Sequence, residues 1–145
     1  MARLSAWFLK ASLIYLLLGA ILGVSLAWAP ARDWLQQVPA RYNQAHVHLN
    51  LTGFVAMMIY GVAYHALPRF VGRQLHSYGL GWAHFWLANA GTVGMVTGFL
   101  WPGDNPVLPV GGLAQAAGMA VFAWNLWRTI GGEEGSKCRS PSPGT

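Results

Sequence analysis

Four segments of this 145-residue chain, 11–29, 43–67, 81–101 and 109–127, contain no Asp, Glu, Lys or Arg. Each is about as long as the roughly 20 residues that carry an α-helix through the hydrocarbon core of a bilayer. Backbone N–H and C=O groups find no water there, so a spanning segment must satisfy them internally, as a helix does. Only 9% of the residues are charged, against roughly 25% in an ordinary soluble domain. The chain therefore reads as an all-α integral membrane protein, a four-helix bundle over 1–130 followed by a disordered cytoplasmic tail over 131–145. The lipid bilayer is its first partner.

The boundaries have local causes. Arg3 and Lys10 precede the first run, and Pro30, Arg32, Asp33, Pro39 and Arg41 make a polar connector after it. Pro68 and Arg69 stop the second span, because proline removes a backbone donor and clashes with the preceding turn. Pro102, Gly103, Asp104, Asn105 and Pro106 form a turn, and Gly131 with Gly132 closes the fourth span. The first run ends in Ala27, Trp28 and Ala29, a small-residue pattern that a secretory signal also shows, but it exceeds the roughly 7 to 15 residues of a signal core and is read as a retained span.

The net charge of +5 does not point to nucleic acid, since the nine basic residues sit at the ends of apolar runs. Seven of them, Arg3, Lys10, Arg69, Arg73, Arg128, Lys137 and Arg139, fall on one side, and Arg32 and Arg41 on the other. Positive charge is retained on the cytoplasmic side, which places both termini there and suits a multi-pass protein of a bacterial-type inner membrane. Trp7, Trp28, Trp34, Trp82, Trp101 and Trp127 lie near span ends, as indoles prefer the interface. Gly19 with Gly23 and Gly94 with Gly98 let helix backbones approach closely. The lone Cys138 excludes a disulfide or cysteine cluster within the chain. Acidic residues are confined to Asp33, Asp104, Glu133 and Glu134, outside the spans, which excludes buried carboxylate chemistry.

Four histidines lie within the spans, where an imidazole is costly unless it finds a partner. His46 and His48 open the second span. At 100° per residue they point to nearly opposite sides, so they address two different centres rather than grip one ion. The competing reading is a pair of rings hydrogen-bonded at the outer interface. His65 lies about 26 Å further along the helix, toward the cytoplasm, and His84 near the start of the third span is at comparable depth. These two could approach and ligate a haem iron from both sides, or simply hydrogen-bond. His76, in the loop, is solvated. Tyr60, Tyr64, Asn89 and Gln115 are candidates for bonds to a cofactor edge or, by preference, between helices. Copper is the lesser cofactor candidate, with His46, His48 and Met57 or Met58 as soft ligands.

The segment AHVHLNLTGF (45–54), continuing through YGVAYH (60–65) to Pro68 and Arg69, resembles the tenth helix of haem-copper oxidase subunit I, most closely the C-family cytochrome c oxidases and their nitric oxide reductase relatives. The run WAHFWLANAG (82–91) is similar to the eleventh helix, and the resemblance covers 44–98, with weaker similarity in the flanking spans. It implies a bundle equivalent to helices nine to twelve. It also implies that His46 ligates the high-spin haem and His48 the low-spin haem, b-type haem being the expected cofactor. The family's copper-ligand histidines, cross-linked tyrosine and second low-spin ligand belong to helices without a counterpart in these 145 residues. A second copy or a respiratory-complex partner is then expected to complete each site. The function implied is electron transfer or binding of a diatomic gas such as NO or O2, as an oxidoreductase component rather than a complete oxidase. The rival role is a non-catalytic assembly or accessory subunit that has lost its cofactors.

Overall fold

A computed structural model describes residues 3–37 and 40–131, and these are helical throughout with short connectors. The tail expectation, Cys138 included, falls outside the described residues beyond Gly131. Helix α1 runs Arg3–Ala27 and a short α2 covers Ala29–Leu35. The second long helix runs Tyr42–Phe70 in three parts: α3 (Tyr42–His48), a π-helical stretch Leu49–Ala56, and α4 (Met57–Phe70). Helices α5 (Tyr78–Leu100) and α6 (Val107–Gly131) follow. Three helices, Arg3–Ala27, Tyr42–Phe70 and Val107–Gly131, are long and apolar enough to cross a membrane. Helix α5 is of similar length and carries His84 and Asn89.

The helix ends show which sequence signals act. Pro30 sits in the first turn of α2, where its missing N–H has no helical partner to lose, so the expected polar connector folds into a helix of its own. Pro68 does not stop the second span as expected. It lies in the last turn of α4, where a missing donor forfeits one bond, and the helix runs on to Phe70. Termination comes from Gly72, whose φ of 64° is readily adopted only without a side chain, with Arg73 N–H closing on Pro68 O at 2.8 Å. The Ser77 hydroxyl caps α5 by accepting from Leu80 N–H at 3.2 Å, and the Asn105 side chain does the same for α6 through Leu108 N–H.

The buried core gathers around Phe8 of α1, which packs against Tyr60, Tyr64, His84 and Phe85. Polar groups in this interior pair between elements. Asn125 of α6 both accepts from Ser77 N–H at 3.0 Å and donates to Ser77 O at 2.9 Å, latching the α4–α5 loop. Tyr15 OH donates to Asn89 Oδ1 at 2.9 Å, and Thr92 Oγ1 to Gln115 Oε1 at 3.4 Å. Three of the four polar residues named from the sequence, Tyr64, Asn89 and Gln115, thus join helices to one another. Leu13, Leu17, Ile21 and Val24 of α1 and Leu113 and Trp127 of α6 point outward and exposed, as lipid- or partner-facing side chains do.

Helices α5 and α6 approach at glycine. A Cβ on Gly111 would stand 2.6 Å from Met95 N and 2.7 Å from Gly94 C, both backbone atoms that cannot swing away. Gly112, one residue on, faces open space. Gly111→Ala should therefore force the pair apart and destabilise the chain by about 1–3 kcal/mol, the usual cost of overpacking, while Gly112→Ala should not destabilise it. Thermal unfolding of the two variants in detergent checks this contrast.

Candidate functional site

His46 projects from α3 onto α1, where Gly19 and Gly23 leave a notch. A Cβ on Gly23 would lie 2.7 Å from the imidazole Cε1, and one on Gly19 would lie 2.7 Å from the Asn50 side-chain nitrogen. The small residues at four-residue spacing on α1 thus do more than bring two backbones together: they seat a histidine and the asparagine one turn below it. The ring's Nδ1 stands 3.0 Å from Gly19 O. A carbonyl can only accept, so this bond places the proton on Nδ1 and leaves the Nε2 lone pair free. The Asn50 amide, 3.3 Å from Nδ1, then directs its hydrogen to His46 O at 2.9 Å.

His48 follows the same rule on the other side. Its Nδ1 is 3.0 Å from Gln44 O, the carbonyl one turn earlier, which again fixes the proton on Nδ1 and frees Nε2. Its ring packs on Phe99 of α5, centroids 4.8 Å apart. Arg41 joins the same ring, its guanidinium 5.5 Å from the Phe99 centroid and its N–H bonded to Phe99 O at 2.8 Å. The two histidines therefore face different helices, α1 and α5, as their angular separation requires. A cavity of about 600 Å³ lies at the start of α3, with Arg32, Gln36, Arg41 and Gln44 in its lining and neither histidine among its lining residues.

The π-helical stretch begins directly after His48 and was not legible as a change of helix type. Widening the turn mismatches carbonyls with their usual donors, and two side chains supply replacements. Asn50 donates to His46 O and Thr52 Oγ1 to His48 O at 2.8 Å. Both ligand-type histidines thus have the backbone oxygen as well as the ring Nδ1 engaged.

The structure does not bring His65 and His84 together. Met57, Tyr60, Gly61 and Tyr64 form the buried stripe of α4, and His65 is rotated about 100° away from it. Its Nδ1 meets Arg69 Nη1 at 2.6 Å on the outer surface. His84 is fully buried, ringed by Phe8, Tyr60, Tyr64 and Phe122, with Nδ1 3.1 Å from Tyr64 OH. Its Nε2 has no partner among the described residues, and an iron could reach it only by displacing aromatic side chains. Nor do the methionines join the outer pair. Met57 is sealed in the core, and Met58 Sδ lies 4.0 Å from Ser12 Oγ. Among the described residues no three His, Cys, Asp or Glu side chains converge as a metal cluster would.

The residues that build the site yet escaped sequence reasoning are Gly19, Gly23, Gln44, Asn50 and Phe99. Asn50 was detectable, since it stands four residues after His46 and so on the same helix face. The contributions of Gly19 and Phe99 depend on tertiary pairing and carry no local signal.

Comparison with known proteins fits this arrangement. Residues 2–133 match the family model described as cytochrome C and quinol oxidase polypeptide I. The chain is similar to the cbb3-type cytochrome c oxidase subunit CcoN1 of Stutzerimonas stutzeri, at 36% identity, over 59% of this chain and 24% of that protein. It is also similar to cytochrome c oxidase subunit 1 of Rhodobacter capsulatus, at 30% identity, over 59% of this chain and 22% of that protein. The chain spans about a quarter of the length of the curated relatives it matches. With three apolar helices long enough to span, and with its whole described length matched by one family model, this multi-pass membrane protein belongs to the cytochrome c and quinol oxidase polypeptide I family.

Proposed function

We propose that the chain is a haem-holding segment of an oxidase-type membrane complex, acting in electron transfer or in binding a diatomic gas, with His46 and His48 each donating Nε2 to a different haem iron. One observation carries this reading. Both rings have Nδ1 tied to a backbone carbonyl at 3.0 Å, so both are held in the tautomer whose Nε2 can bind a metal. A carbonyl on Nδ1–H also makes the imidazole a stronger donor to iron. The donor set fits one histidine at each of two centres, because the rings face α1 and α5 respectively and would each hold a separate haem.

Bound haem would supply the redox couple or the gas-binding iron, the potential being set by ligand, burial and hydrogen bonding. The chain's own residues do the positioning. Gly19 and Gly23 admit the His46 ring, Asn50 and Thr52 hold the backbone behind both histidines, and Phe99 packs on the His48 ring. Arg32 and Arg41 give the cavity at the start of α3 a positive lining suited to the carboxylate edge of a haem. Residues of a second copy or a partner subunit would complete the low-spin haem's site, whereas an iron that binds a gas would keep a position open for it. Under this reading α5 is a fourth span, the bundle corresponds to helices nine to twelve of the relatives, and both termini face the cytoplasm of a bacterial-type inner membrane. His65 and His84 take structural roles.

A reduced-minus-oxidised visible spectrum, with iron per chain, of protein purified from cells supplied with haem precursor tests the reading. The chain should show b-type bands. His48→Ala and His46→Ala should each remove a distinct part of the signal while leaving the protein folded and inserted. A colourless, iron-free protein would instead support a non-catalytic assembly role, and copper without iron would support metal handling.

His65→Ala gives a sharp control. Among the described residues the ring's hydrogen-bond partner is Arg69, on its own helix, so this variant should leave bands and iron content unchanged. A lost band in His65→Ala would contradict the assignment of the ligands to the outer end.

A further inference from the structure

Helices α1 and α5 run in the same direction, and among their contacts Trp7 packs edge-on against Phe85 at 6.3 Å and Tyr15 OH bonds Asn89 Oδ1 at 2.9 Å. Beside these contacts the helices leave a groove of about 490 Å³ open to the membrane. Trp7, Ile14, Trp86 and Val93 form its walls, and the small side chains of Ala11 and Ala90 give it depth. Measured along either helix it is about 10–12 Å long, from the spacing of its lining residues at about 1.5 Å each.

One charged group belongs to this otherwise apolar groove. Lys10 lines it one turn after Trp7, which forms its N-terminal end, and the ammonium lies 5.7 Å from the Trp7 ring centroid. Among the described residues it faces no carboxylate: the one ion pair is Arg32 with Asp33, and Asp104 lies in the α5–α6 turn. The aliphatic stem of a lysine at a span end lies along apolar surface while the ammonium reaches the headgroup level. An apolar slot about two helical turns long, with one unneutralised cation at interface height, is complementary to a molecule having an acyl chain and an anionic head. The excess of basic residues at this end also assigns it to the cytoplasmic leaflet, where anionic lipids concentrate.

We propose that the α1–α5 groove is a binding site for one anionic phospholipid, its phosphate on Lys10 and one acyl chain in the slot against Ala11 and Ala90. Its lining on α1 ends at Tyr15, short of the Gly19 and Gly23 seat of His46, and the proposal does not depend on haem. A neutral lipid would fill the slot without using Lys10, and a helix of a second copy would fill it without a headgroup.

Native mass spectrometry of the detergent-purified full chain, after incubation with phosphatidylglycerol or phosphatidylcholine, separates these occupants. One phosphatidylglycerol should be retained per chain in preference to phosphatidylcholine. Lys10→Gln should weaken its retention about fivefold, the effect of one basic residue at an anionic lipid surface. Ala90→Leu should abolish retention by filling the slot, with an unchanged circular dichroism spectrum showing that the helices persist. Equal retention of both lipids, or retention unaffected by Lys10→Gln or by Ala90→Leu, would overturn the proposal. So would a lipid-free dimer that Ala90→Leu converts to monomer.

Discussion

Two backbone carbonyls, those of Gly19 and Gln44, hold the arrangement on which the rest depends. In a membrane an imidazole N–H must find an acceptor within the protein, because the surrounding hydrocarbon offers none. Each of the outer histidines meets that demand with Nδ1, at 3.0 Å in both cases, and so has Nε2 left over. The same demand accounts for the groups around them. The π-helical stretch disturbs the backbone ladder directly after His48, and Asn50 and Thr52 restore what it removes. Polar satisfaction and ligand orientation are here one requirement.

Glycine serves that requirement in two ways. On α5 and α6, Gly94 and Gly111 bring backbones together, the close approach that membrane helices use where no hydrophobic drive joins them. On α1, Gly19 and Gly23 have the same spacing but receive side chains from α3 and the π-helical stretch. The difference lies in the partner helix. Gly94 meets another glycine, whereas Gly19 and Gly23 meet Asn50 and His46.

The helical character of the apolar runs was legible because charge is absent from them, but their lengths were not: α1 begins at Arg3 and carries Lys10 within it, well before the run expected from residue 11. The opposite facing of His46 and His48 was legible for a related reason, since 100° per residue acts over only two positions before the helix type changes. What failed depended on contacts. Pro68 looked like a stop, but a proline in a final turn forfeits one bond, and Gly72 ends the helix instead. Pairing His65 with His84 assumed that depth decides proximity. The buried stripe through Tyr64 turns His65 outward, and His84 bonds Tyr64 in its place. The seat of His46 on α1 could not be read locally, because it joins residues 27 positions apart.

The central claim is that the two outer histidines serve two centres and not one. Pulsed electron paramagnetic resonance of the oxidised, haem-loaded protein carrying ¹⁵N-labelled histidine addresses it directly. The account predicts two distinct ferric signals, each coupled to an axial histidine nitrogen, with one lost in His46→Ala and the other in His48→Ala. A single iron signal that depends on both histidines at once, or ferric signals with no histidine nitrogen coupling, would contradict it.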